Sequence, residues 1–168
     1  MDHLTIAKDI VALFCAIFGG AFALFQYYKT VKLKAASHLN DIVTAMRDDK
    51  EIRDFIQLIE YGNFTFDTHF QGSPCEHQAD KTLEYLSYIC YLKEQHLIGE
   101  KEFAFVKYEI DHLLTNEEVV RYLKFLYHFS CNVIKEKPGP NPIANVTFKQ
   151  LLEYAYRNHL INESFFTS

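Results

Sequence analysis

IVALFCAIFGGAFALFQYY, residues 10–28, decides how the rest of this 168-residue chain is read. Its nineteen residues carry no charge. At 1.5 Å of rise each they make a helix of about 28 Å, close to the roughly 30 Å hydrocarbon thickness of a bilayer. Tyr27 and Tyr28 stand where an interfacial aromatic belt would, and Lys29, Lys32 and Lys34 follow at once. A cleaved secretory signal would carry a basic leader, a shorter apolar core and small residues before the cut. Here the leader MDHLTIAKD is nearly neutral, and the apolar core runs straight into Phe25, Gln26, Tyr27 and Tyr28. The stretch is therefore expected to be an uncleaved single-pass anchor.

Lysine asymmetry gives it a direction. Only Lys8 precedes the span, whereas three lysines follow it, so the positive-inside rule places the N-terminus outside and the C-terminal domain in the cytoplasm. Free thiols at Cys75, Cys90 and Cys131 suit that reducing side. Within the span, Ala12, Ala16 and Gly20 recur every four residues, with Gly19 and Ala23 beside them. Small residues at that spacing let two helices approach closely, which makes a candidate face for self-association. With no charged residue inside it, the span offers no chemistry for a proton or ion path.

Beyond the span and its basic flank, roughly 130 residues remain, the size of one compact domain. Hydrophobic residues make up 49% of the chain and charged residues 23%, which excludes both disorder and a multi-span membrane protein. The net charge of −5 argues against a general nucleic-acid binder. Residues 1–34 hold four of the seventeen Lys/Arg and two of the twenty-two Asp/Glu, so thirteen basic and twenty acidic residues remain outside them, a net charge of −7. An acidic body behind a basic collar should stand off anionic lipid.

Helical periodicity runs through that body. Leu39, Ile42, Val43 and Met46 repeat at i, i+3, i+4 and i+7 over residues 35–46. Asp48 or Asp49 is placed to cap a second helix carrying Ile52, Phe55, Ile56 and Ile59, with Gly62 as its stop. The stretch NFTFDTHFQGSPCEHQ reads as loop. A helix then begins at or just before Asp80, with Asp80 as its expected cap, and runs to about Leu97, where Gly99 breaks it. Being apolar on two sides, that helix should lie centrally. Residues 100–114 follow, with Phe103, Val106, Ile110 and Leu113 inward. Asn116 caps the next helix, which directs Val119, Leu123, Leu126, Phe129 and Val133 inward. KEKPGPNPIANV is a loop by its three prolines, and TFKQLLEYAYRNHL forms a last helix from Thr147, with Phe148, Leu151, Leu152 and Ala155 inward. INESFFTS reads as a frayed tail.

Chemistry is harder to find. The loop 63–80 gathers His69, Cys75, Glu76, His77 and Asp80, which are metal-ligand types, but their spacing matches no zinc framework. P-loop, dinucleotide-fingerprint and nucleophile-elbow motifs are lacking. Cys90 and Cys131 fall in apolar helical stretches as small core residues. Fifteen Phe and eleven Tyr without Trp suit a small core and a wet rim. The expectation is a non-enzyme without catalytic, cofactor-binding or metal residues and without a cofactor.

The stretch EYGNFTFD and, beyond it, DKTLEYLSYICYLKEQHLIGEKEFAFVKYEIDHLLTNEEVVRYLKFLY resemble a loose group of uncharacterised short bacterial proteins. Those join one N-terminal membrane helix to a helical cytoplasmic domain. The resemblance implies a bacterial inner-membrane location and a helical fold, and it supplies no activity or catalytic residue.

The reading is all-α: an N-terminal transmembrane helix followed by a bundle of about five to six helices. Residues 1–34 form the anchor and its basic flank, 35–161 the cytoplasmic helical domain and 162–168 the tail. The expected role is that of a single-pass inner-membrane protein whose helical domain binds a protein partner or itself. The expected partners are the lipid bilayer and a second copy or another protein, without nucleic acid. The alternatives are a toxin-like or phage-defence effector that oligomerises through its membrane helix, and a tethered enzyme using the loop 63–80.

Overall fold

A computed structural model describes the backbone of residues 3–134, 143 and 146–167, and side chains within them other than those of 3–11, 35, 38, 45 and 134. Helix makes up 78% of the described residues, and no strand occurs among them. In order come α1 (His3–Asp48), α2 (Lys50–Glu60), α3 (Pro74–Glu94), α4 (Glu100–Thr115), α5 (Glu117–Ile134), α6 (Lys149–Arg157) and a 3-10 turn at Glu163–Phe165. The all-α expectation, with a long apolar first helix, holds. Most of the proline-rich loop expected over 135–146 lies outside the described residues.

The chain divides into two compact units, Met1–His38 and Leu39–Ser168. The first is made of α1 alone, and every described side chain from 12 to 34 is exposed. The second unit opens with the last turns of α1, where Leu39, Ile42 and Met46 are buried at the predicted helical spacing.

Each later helix starts and stops for a local reason. Asp49 accepts from the backbone N–H of Glu51 at 2.9 Å and of Ile52 at 3.3 Å, satisfying two donors that α2 leaves open. At the other end the Gly62 N–H reaches the Ile59 carbonyl at 3.0 Å and the Asn63 N–H reaches Leu58 at 2.8 Å. Gly62 itself is left-handed, at φ +66°. That is a Schellman stop, and glycine takes the conformation without steric cost. The inner face of α2 buries Ile52, Phe55 and Ile59.

For α3 the expected start is wrong. The helix begins six residues before Asp80, at Pro74, with the Ser73 hydroxyl accepting from the Glu76 N–H at 3.2 Å. Glu76 reaches back to the Gly72 N–H at 2.5 Å. Ser-Pro-x-Glu is a capping-box sequence with proline at the first helical position, a stronger start than a lone aspartate about two turns further on. Asp80 therefore caps nothing. The end differs too: α3 stops at Glu94 because His96 turns left-handed at φ +55°, so that the His96 and Leu97 N–H groups close onto Lys93 and Leu92. Leu97 lies beyond the helix and is exposed, and Gly99 precedes α4 instead of ending α3.

α3 is central, packing against α2, α4 and α6. It buries Leu83, Leu86, Ile89, Cys90 and Leu92. Phe103, Val106, Ile110 and Leu113 of α4 are inward as expected. On α5, Val119 and Leu123 are buried and Leu126 half-buried, but Phe129 and Val133 are 57% and 63% exposed. Tyr122, Tyr127 and Ser130 are buried there instead. At about 100° per residue Phe129 falls roughly 80° from Val119, at the edge of the buried arc. Val133 occupies the last turn of α5, beyond the level at which the Ser130 hydroxyl meets that of Thr147 at 2.9 Å. α6 begins at Lys149, two residues later than expected, and buries Leu151, Leu152 and Ala155. Phe148 is half-buried and stands just before it.

The loop after α2 and the segment after α6 are both packed. Phe64 and Phe70 of the loop are buried, and their rings link Phe55 to Tyr122 through edge contacts of 5.1, 5.6 and 4.8 Å. The expected frayed tail is corrected likewise. Ile161 and Phe165 are buried, both Phe165 and Phe166 lie against Tyr127, and the Lys124 ammonium donates to the Ser164 carbonyl at 3.1 Å. The apolar pair in that segment lets it pack where a polar tail would not.

Candidate functional site

The first candidate is α1 itself, long and apolar enough to cross a bilayer. Leu13, Phe14, Ile17, Phe18, Phe22 and Phe25 are all exposed, a surface that water would not favour. At its polar end Tyr27 and Tyr28 are exposed, and the Lys32 ammonium lies 4.7 Å from the centre of the Tyr28 ring. A cation over an aromatic face suits the interfacial belt expected of Tyr27, Tyr28, Lys29, Lys32 and Lys34. Ala12, Ala16, Gly19, Gly20 and Ala23 are exposed, and a Cβ added at either glycine would meet nothing within 4 Å.

The ligand-type residues of the loop 63–80 are drawn into separate structural contacts. His69 is exposed and its backbone N–H donates to Asp67 at 2.8 Å. Glu76 serves the α3 N-terminus, and burial raises the pKa of the half-buried Cys75 thiol. His77, with its side chain 72% exposed, lies 3.8 Å from Glu51. Lys81 bridges Asp49 and Glu51 at 2.6 Å each, which ties α3 to the start of α2. Asp80 accepts from the Tyr122 hydroxyl at 2.6 Å. Burial raises the Asp80 pKa, the Tyr122 bond opposes that rise, and the charges of Glu76 and Glu84 add to it. No group of three or more His, Cys, Asp and Glu could share a metal ion among the described residues. Cys90 is buried, and that burial pushes its thiol up to about 12, far from a nucleophile at neutral pH.

Charge separates three of the surface clefts that the described residues form. A cleft of about 320 Å³ holds Lys93 and Arg157 beside Glu94, Glu100 and Glu153. Its charges are already paired, Arg157 with Glu94 at 2.9 Å and Lys93 with Glu100. A second, of about 360 Å³, has Arg121 opposite Asp67. The third, about 610 Å³, has Asp80 and Glu84 in its wall, the rings of Tyr88, Tyr91 and Phe148, and no Lys or Arg among its described lining. The periodicity of α3 alone does not mark this cleft, because part of its wall, Thr147, Phe148 and Gln150, comes from residues 147–150.

No family model, no curated protein and no solved structure matches this chain.

Proposed function

We propose that this chain is a single-pass membrane protein whose helical domain is a binding module that engages a protein partner or a second copy of itself. The observation that carries the reading is the exposed apolar face of residues 12–33, which needs a cover that the chain's own described residues do not provide. The bilayer is that cover, with the N-terminus outside a bacterial inner membrane and the domain in the cytoplasm. Tethering raises the local concentration of the domain, so even a weak interface becomes effective there. Phe105 and Tyr108 support the interaction reading: they are exposed at i and i+3 on α4, a face that no core contact uses.

Two measurements test it. The full chain should stay in the membrane pellet through an alkaline carbonate wash, whereas the chain lacking residues 1–34 should be released. Crosslinking in the native membrane should trap a second copy or a defined partner. Release of the full chain into the wash would remove the anchor, and a strict monomer with nothing crosslinked would remove the module.

A second reading draws on the exposed Ala12, Ala16 and Gly20 face: an effector that oligomerises through its membrane helix and perturbs the bilayer. Expression would then be toxic and Gly20→Leu would relieve the toxicity. Harmless overexpression excludes it.

A further inference from the structure

The 610 Å³ cleft on α3 is within the size range of small-molecule sites, and its described lining is one-sided in charge. Asp80 and Glu84 supply two carboxyl groups and the described lining supplies no cation. Glu84 is exposed and forms no ion pair among the described residues. Ser87, only 7% exposed, has its hydroxyl in the same wall with no hydrogen bond among the described residues. The Gln150 side chain, opposite on α6, likewise has none. The Ser87 hydroxyl and the Gln150 amide thus leave hydrogen-bonding capacity in this wall for a ligand or water.

The rest of the wall is aromatic. Tyr88 and Tyr91 stack at 6.3 Å with 20° between their planes, and both rings are partly open to solvent. Phe148 closes the other side from a left-handed backbone, φ +56°, which an aromatic L-residue rarely adopts. Two contacts hold it there: its carbonyl accepts from Leu152 in the first turn of α6 at 3.0 Å, and the neighbouring Thr147 hydroxyl meets Ser130. Rings with negative faces beside two carboxylates form an environment for positive charge.

We propose that this cleft binds a small organic ammonium ion, with its charge beside Asp80 and Glu84 and its alkyl surface against Tyr88, Tyr91 and Phe148. An anion would meet two carboxylates there, and an uncharged ligand would leave Glu84 without a counter-charge among the described residues. The site also explains the environment of Asp80, whose charge is disfavoured by burial and by Glu84 and Glu76. A bound cation relieves that repulsion. The net charge of −7 outside residues 1–34 draws cations toward it. Either of two chemical forms meets these requirements: a primary polyammonium, which donates N–H bonds to the carboxylates, Ser87 and Gln150, or a quaternary ammonium, which uses charge and rings alone. The proposal is independent of the anchor.

The test is calorimetric titration of the full chain in a maltoside detergent, which carries no ammonium group. Spermidine and tetramethylammonium are the probes, and a neutral tert-butyl alcohol is the isostere control. Saturable binding of either cation at one equivalent is expected, weakened about tenfold by Glu84→Gln and by Tyr91→Leu and unchanged by Glu100→Gln. Spermidine alone binding assigns the N–H-donating form; tetramethylammonium binding equally well assigns the charge-and-ring form. The proposal is overturned by the absence of saturable binding up to about 10 mM of either cation. Equal binding of the neutral alcohol, or binding that neither variant at the cleft weakens in a protein with unchanged circular dichroism, overturns it as well.

Discussion

Tyr122→Phe tests the contact that joins α3 to α5. The substitution removes one hydroxyl and keeps the ring, so no cavity confounds the result. Tyr122 is 1% exposed and its hydroxyl donates to Asp80 at 2.6 Å. A hydrogen bond to an ionised acceptor contributes about 1.5–3 kcal/mol, and its loss leaves a half-buried carboxylate without that donor. We expect a loss of about 2 kcal/mol at neutral pH. The pH dependence has a definite sign. Asp80 has its folded pKa raised above the ordinary 3.8, so the native state holds this proton more tightly than the unfolded chain. The group therefore favours the fold as pH falls toward 3.8 and opposes it once pH exceeds the raised value. Taking away the Tyr122 donor lifts the folded value further. The deficit of the variant must then be largest where Asp80 is ionised and shrink in acid, where both proteins are protonated. Asp49 and Glu118 have lowered pKa values, through Lys81 and the Phe66 N–H respectively, and lose their contributions in acid. They do so equally in both proteins and cancel in the difference. Urea unfolding followed by circular dichroism, from about pH 8 to about pH 4, measures it, with Asp80→Asn closing a double-mutant cycle. A deficit under about 0.5 kcal/mol, or one that does not change with pH, would refute the reasoning.

His96→Gly should stabilise the domain by about 0.5–1 kcal/mol, read as a higher midpoint, because the left-handed stop of α3 is sterically unfavourable for histidine. His159, at φ +58° after α6, should respond in the same way. Phe70→Ala removes a buried ring in contact with Phe64, Phe66 and Tyr122 and should cost about 3–5 kcal/mol; a cost under about 1 kcal/mol by urea titration would mean the loop is not part of the core. Phe165→Ala should cost at least about 2 kcal/mol, since the side chain is 5% exposed against Tyr127, and a neutral result would restore the frayed tail.

Elements whose identity rests on period and local capping were legible in the sequence. The inner faces of α2 and α4, the caps Asp49 and Asn116 and the stop at Gly62 all needed only neighbours within a few positions. The start of α3 is also local, in the capping box of Ser73, Pro74 and Glu76. It lies, however, within a polar, loop-like stretch in which Asp80 is an equally suitable cap by residue type. What lay beyond the sequence is long-range. His96 ends α3 without glycine, because the Lys93 and Leu92 carbonyls are satisfied by a backbone that histidine can adopt at a cost. Asp80 meets Tyr122 forty-two positions away, and the cleft joins α3 to residues 147–150 across two helices. Neither leaves a periodic trace.

Which aromatic residues went inside α5 bears on what the surface is for. Tyr122 and Tyr127 are buried while Phe129, the more apolar residue, is left out. Two tyrosine hydroxyls have carboxylate partners: Tyr122 donates to Asp80 at 2.6 Å, and the half-buried Tyr154 of α6 donates to Asp111 at 2.8 Å. Shape and hydroxyl partners, not hydrophobicity rank, filled the core. The apolar side chains outside therefore contribute little to the fold, and Phe105, at 71% exposure, has almost no packing to lose. Phe105→Ser should change stability by less than about 0.5 kcal/mol. If α4 carries the interface, the same substitution should abolish the crosslink trapped in the membrane. A stable variant that still crosslinks would move the interface off α4, and a destabilised one would show that the Phe105 ring has a packing role that its exposure does not reveal.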